Sequence, residues 1–111
     1  MVSAFKRQKG HKITLDAFKD FLRSYPDYHL VLVGEGILEK ELKDYCRSNT
    51  LSTKVTFAGY LSADKILDLY NESEIFVLPS LWEGFPKVLL EAMSCGAPAI
   101  GSNSTSIPEI I

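Results

Sequence analysis

Two glutamates, Glu83 and Glu91, stand eight residues apart, with the Gly84-Phe85-Pro86 turn and Lys87 between them. A carboxylate only accepts hydrogen bonds and offers two oxygens, so it suits a diol. Eight helical residues would separate the pair by about 12 Å at 1.5 Å rise per residue. That is too wide for the paired carboxylates of glycoside hydrolysis, but it fits a clamp on the two ends of a long ligand. The helix start at Phe85 to Val88 leaves amides without intrahelical acceptors at the positive end of the helix dipole. Such a start accommodates a diphosphate. Gly84 lets the backbone come close to it, and Lys87 or Lys9 can add a charge. Each feature alone has an ordinary alternative. Paired or solvated glutamates are common, most helix starts are simply hydrated, and the run Lys6-Arg7-Gln8-Lys9 reads as a solvated basic loop.

The elements that must position these residues alternate along the chain. Val2 to Phe5 reads as the tail of a strand. Lys12 to Ser24 carries Ile13, Ala17, Phe18, Phe21 and Leu22 at helix spacing, and Tyr25-Pro26-Asp27 ends it. His29 to Val33 is a strand closed by Gly34-Glu35-Gly36. Leu38 to Ser48 is a helix with Leu42 and Tyr45 inward, and Lys54 to Phe57 is a strand ended by Gly59. Ser62 is a helix N-cap candidate. The helix after it buries Ile66, Leu67, Leu69 and Tyr70, and Ile75 to Leu78 is an apolar strand. Pro86 to Ser94 is a helix with proline at its start and Gly96 just past its end. Pro98 to Gly101 is a last strand, and Ile107 to Ile111 begins another helix. Continuous apolar strands between amphipathic helices predict an α/β fold: a Rossmann-like parallel sheet with helices on both faces. Ligands of such sheets bind at the carboxyl ends of the strands. There the loops Phe5 to His11, Gly34 to Gly36 and Pro79 to Pro86 collect.

The 111 residues make one domain, 1–111, and 46% hydrophobic content is enough for a core. A net charge of −2 argues against nucleic acid as a partner. Cys46 and Cys95 form no Cys-x-x-Cys pair and lie far from His11 and His29 in sequence, which predicts no metal site and two reduced thiols in a cytoplasmic protein. No apolar run approaches the length of about 18 residues that a membrane span needs. Met1 to Phe5 is too short for a signal peptide. The sequence stops at Ile111 inside an apparent helix and reads as a truncated domain.

The segment from Pro79 through Glu83, Gly84, Phe85, Pro86 and Glu91 to Pro98 closely resembles the Glu-x7-Glu signature of family 4 (group 1) retaining glycosyltransferases. Lys9-Gly10-His11 resembles the Lys-Gly loop of that family, and Val31 to Gly36 its Val-Gly-x-Gly turn. Val55 to Gly59 resembles its Val-x-Phe-x-Gly strand, and Ile107-Pro108-Glu109 the segment closing its core. The matches fall in the family's order across essentially the whole chain.

The resemblance implies the donor-holding C-terminal domain of a two-domain GT-B enzyme. It implies transfer of a sugar, with retention, from a nucleotide-diphosphate sugar to a glycan, lipid or small acceptor. Glu83 would bind the donor sugar's hydroxyls, Glu91 the ribose and Lys9 the diphosphate. Backbone at Gly84, Phe85 and Lys87 would face the diphosphate or sugar, with Gly34 and Gly36 also in the donor site. Gly59, Tyr60 and Leu61 would hold the base. No metal cofactor is implied. The family's arginine, five or six residues ahead of its lysine, is Ala4 or Ser3 here, and Arg7 or Lys6 is the nearest substitute. The acceptor domain is missing from these 111 residues. The chain alone is therefore expected to bind donor without efficient transfer, with membrane association only through a partner. The rival expectation is a non-catalytic donor-binding subunit, or an inactive fragment, that needs a separate acceptor domain.

Overall fold

The computed structural model describes residues 1–111. It contains α1 (His11–Phe21), β1 (Leu30–Val33), α2 (Glu39–Ser48), β2 (Val55–Gly59), α3 (Ala63–Glu72), β3 (Phe76–Leu78), α4 (Lys87–Ser94) and β4 (Ala99–Gly101), with 3-10 turns at Arg7–Lys9 and Ile107–Glu109. All strand pairing is parallel. β1 pairs with β2 in the register Leu30 to Val55, with an irregularity between Leu32 and Val33, and β3 pairs with β4 from Phe76 to Ala99. The expected first strand is reduced to a single parallel bridge from Val2 to Val33. Its backbone still follows β1. The Ser3 amide donates to the Val33 carbonyl at 3.0 Å and the Phe5 amide to Glu35 at 2.8 Å. The sheet is thus two short ladders flanking the Met1–Phe5 segment, rather than five full strands.

Each ladder has its own core. The first gathers Phe5, Leu15, Leu32, Leu42, Cys46, Leu51 and Val55, and the second gathers Tyr70, Phe76, Leu78, Leu89, Ala92, Ala97 and Ile107. The inward face of α1 is His11, Thr14 and Leu15, with Phe18 partly buried, while Ile13 is exposed. Leu15, fully buried, is the core residue of this helix that its apolar spacing did not single out. Phe21 instead joins an aromatic cluster, its ring stacked on Tyr25 at 4.7 Å and edge-on to Tyr28 at 5.0 Å. In α2, Leu42 and Cys46 are buried, and Tyr45 packs at the core margin with its hydroxyl donating to Asp16. In α3 only Tyr70 is buried and Leu67 faces outward, because a single i, i+4 row (Ile66 and Tyr70) suffices to meet α4. α4 begins at Lys87 with Pro86 as its N-cap, one residue later than expected. Residues 107–109 form only a 3-10 turn. No helix is long and apolar enough to cross a membrane.

Candidate functional site

The carboxyl-end loops are bound to one another by main chain. The Leu81 amide donates to the Gln8 carbonyl at 2.7 Å, and the Leu38 amide to Phe5 at 3.2 Å. Gly10 ends the Arg7–Lys9 turn in the left-handed region, φ 75°, and a Cβ there would collide with the Pro79 carbonyl. A Cβ at Gly36 would stand 2.6 Å from the Phe5 carbonyl oxygen. These glycines let the loops Phe5 to His11, Gly34 to Gly36 and Pro79 to Pro86 share one edge. Gly34 and Gly36 pack against Ser3 and Phe5, and the Gly34 amide donates to the Gly59 carbonyl at 2.9 Å.

The packing of Gly10 on Pro79 brings together two residues 74 apart in sequence. Lys9 Nζ donates to Glu83 Oε1 at 2.8 Å, with the two side chains 20% and 10% exposed. The same oxygen accepts from Ser80 Oγ at 2.7 Å, and Ser80 is fully buried. The backbone of this loop is gripped by hydroxyls from the segment after β4. Thr105 Oγ1 accepts the Glu83 amide at 3.0 Å. Ser106 Oγ donates to the Glu83 carbonyl at 3.2 Å and Ser104 Oγ to Leu81 at 2.6 Å, while Ser102 Oγ donates to the Ser80 carbonyl. Thr105 sits at φ 49°, a conformation costly for a β-branched residue and held here by these bonds.

Beyond Glu83 the chain opens. The Gly84, Phe85 and Val88 amides donate to no protein group, whereas the Lys87 amide is used within the turn, donating to the Phe85 carbonyl at 3.0 Å. Bare N–H groups at the start of a helix are able to accept an anion. Within the helix start marked in the sequence, Val88 is bare as expected, and the expectation of a free Lys87 amide fails because the turn consumes it. Trp82 and Phe85 are 61% and 65% exposed beside them.

Glu91 lies one turn into α4 and is exposed, with Oε2 accepting from the Tyr70 hydroxyl at 3.3 Å. Burial, and then the Glu91 charge, push the Tyr70 phenol well above its ordinary value. Gly59 ends β2, followed by exposed Tyr60 and half-buried Leu61. Lys6 and Arg7 do not turn to Glu83. With Gln8, Ile37, Leu38 and Glu41 they line a separate cleft of about 540 Å³, and neither makes an ion pair. His11 lies under the Lys9 loop, its Nε2 within 3.2 Å of Ser3 Oγ and its Nδ1 without a partner. Burial foremost, then the terminal ammonium and Lys9, lower its imidazole to about 4.

The sequence reading missed Ser80, Thr105, Ser106 and the Tyr70 hydroxyl. A fully buried serine right after an apolar strand must find a partner, and a run of four hydroxyls within residues 102–106 was the available signal for the grip on the loop.

The profile of the family described as glycosyl transferases group 1 matches residues 1–111. An uncharacterized glycosyltransferase of Methanocaldococcus jannaschii is 34% identical over 110 residues, covering 99% of this chain and 30% of its own. The serotype-specific mannosyltransferase WbdA of Escherichia coli is 51% identical over 59 residues, which are 53% of this chain and 7% of WbdA. Among solved structures, HepE of Anabaena in complex with UDP and glucose superposes with a TM-score of 0.85 at 24% identity, covering 99% of this chain and 30% of HepE. The fold is therefore that of part of a GT-B glycosyltransferase. The chain spans less than a third of the length of these proteins.

Proposed function

The chain belongs to the glycosyl transferases group 1 family, and from that premise we propose that it is the donor-binding part of a retaining glycosyltransferase that uses a nucleotide-diphosphate sugar. The observation that carries the reading is the convergence of Lys9 and Glu83 beside the unpartnered amides of Gly84, Phe85 and Val88. In this reading the diphosphate lies on those amides and Lys9. Glu83 accepts hydrogen bonds from the sugar hydroxyls and sets the anomeric carbon. Glu91 accepts the ribose hydroxyls, and the backbone of Gly59, Tyr60 and Leu61, beside Gly34, flanks the base. The bond from the anomeric carbon to the diphosphate oxygen breaks, with its electron pair leaving on the nucleotide. The acceptor oxygen bonds to the same carbon on the same face, and its proton passes to the departing phosphate. Lys9 and the amides stabilise the charge that develops there, so the step is proposed to run without a metal. The acceptor, whether glycan, lipid or small molecule, is held by a further domain or subunit. The coverage of relatives that extend well beyond this chain supports that division of labour. If the chain is instead a donor-binding subunit without catalysis, donor affinity persists and transfer is absent even when an acceptor domain is added.

Calorimetric titration with UDP, GDP, UDP-glucose and GDP-mannose tests the roles. Glu91→Ala is expected to weaken free nucleotide, and Glu83→Ala to weaken chiefly the sugar-bearing donor. Equal losses of free nucleotide in both variants would contradict the assignment.

A further inference from the structure

We propose that Tyr70 is a positioning residue: its phenol on α3 holds the Glu91 carboxylate on α4 in the orientation that meets the ribose diol. This rests on reading Glu91 as the ribose carboxylate. Glu91 projects from the exposed side of α4 and makes no ion pair with any lysine or arginine, so the Tyr70 hydroxyl at 3.3 Å is its sole side-chain partner. Tyr70 is a rigid anchor. It is 3% exposed, sits in the second core, and meets the Phe76 ring edge-on at 5.6 Å. A phenol has one proton to give, and here it goes to Oε2 of Glu91. That leaves Oε1, which has no protein partner, and one lone pair of Oε2 to accept two hydroxyls. Burial and the neighbouring carboxylate keep the phenol protonated, hence a donor, throughout the neutral range.

A buried tyrosine hydroxyl needs a partner in any case. What separates positioning from simple satisfaction is the consequence for ligand. A glutamate on a helix surface samples several rotamers, and fixing it before the ligand arrives removes that ordering cost from binding. Loss of the phenol should therefore be felt only through the ribose hydroxyls.

Tyr70→Phe keeps the ring and its packing. The full chain carrying it, checked for an unchanged melting temperature, is titrated with UDP, GDP and their 2′,3′-dideoxy analogues. The expected result is a loss of about 3- to 10-fold in affinity for the ribose-bearing nucleotide and no loss for the dideoxy form. In a Glu91→Ala background the same change should do nothing further. Equal weakening of the dideoxy nucleotide, no weakening at all, or a loss that persists in Glu91→Ala overturns the proposal. If Glu91→Ala by itself leaves nucleotide affinity intact, it is the assignment of Glu91 to the ribose that fails.

Discussion

The two halves of the molecule are built on different principles. In the half containing β1 and β2, a core of eight buried residues that includes Phe5, Leu15, Leu32 and Leu42 is dressed by ion pairs. Apart from Lys9 with Glu83, every ion pair in the protein lies on or beside α1 or α2. The half containing β3 and β4 has a smaller core with two alanines, and no ion pair of its own. Its loops are held by serine and threonine hydroxyls bonded to main chain. Yet this second half carries both candidate carboxylates and the bare amides, and the first half contributes one cation. Hydroxyl bonds to backbone fix a loop's path while leaving its outward surface free, so the less conventionally stabilised half is the one that can present groups to a ligand.

Removing one core leucine from each half tests whether they are two units or one. Leu32→Ala and Leu89→Ala, both at fully buried positions, should each cost about 2–5 kcal/mol. Both should lower the same cooperative transition, because Met1–Phe5 and the Lys9 loop bind the halves together. Two separate transitions in a urea melt would show the halves to be independent. Next in size is a pH effect confined to the first half. His11 is held neutral in the fold, with its value lowered from 6.5 to about 4. Between those values the unfolded chain binds the extra proton and the folded one does not. The His11 contribution to stability is therefore full above 6.5 and is lost as pH drops toward 4, by on the order of 3 kcal/mol. His11→Gln should flatten urea-melt stability over that window. An unchanged slope would place the acid sensitivity elsewhere. In the second half, Thr105→Val preserves shape and backbone strain but deletes the acceptor for the Glu83 amide. It should cost about 1 kcal/mol and blunt any preference for sugar-bearing over free nucleotide in the same titrations. The smallest effect is expected from Lys43→Ala in α2, which loses a half-exposed pair with Glu39 at 3.2 Å and about 0.3–0.5 kcal/mol in the same melts. A loss there as large as that of Thr105→Val would erase the contrast.

Much of the fold was legible because periodicity survives in sequence. The alternation of apolar runs and amphipathic stretches placed every helix and the four strands to within a few residues. The failures are local. Leu67 is read as inward because α3 carries more apolar residues than its buried face needs. Val2 to Phe5 reads as a strand because its composition does not reveal that only one neighbour pairs with it. At the site, Glu83, Glu91 and Lys9 stood out by residue type, spacing and family resemblance. The contact between Lys9 and Glu83 leaves no local trace, since it depends on how Gly10 packs against Pro79. The hydroxyls of residues 102–106 escaped for a related reason: side chains that bond to a distant main chain follow no period, so they look like any polar loop.

The ion pair of Lys9 with Glu83 has a consequence for selectivity under the proposed reading. With both side chains largely shielded from water, neither charge is free until something separates them. A bare phosphate compound would take the lysine and leave the carboxylate to the Ser80 hydroxyl alone, and a free sugar would take the carboxylate and leave the lysine without its counter-ion. Only a molecule carrying both groups, at the right distance, re-partners each. The closed pair thus behaves as a coincidence detector, rewarding the intact activated sugar over either of its halves.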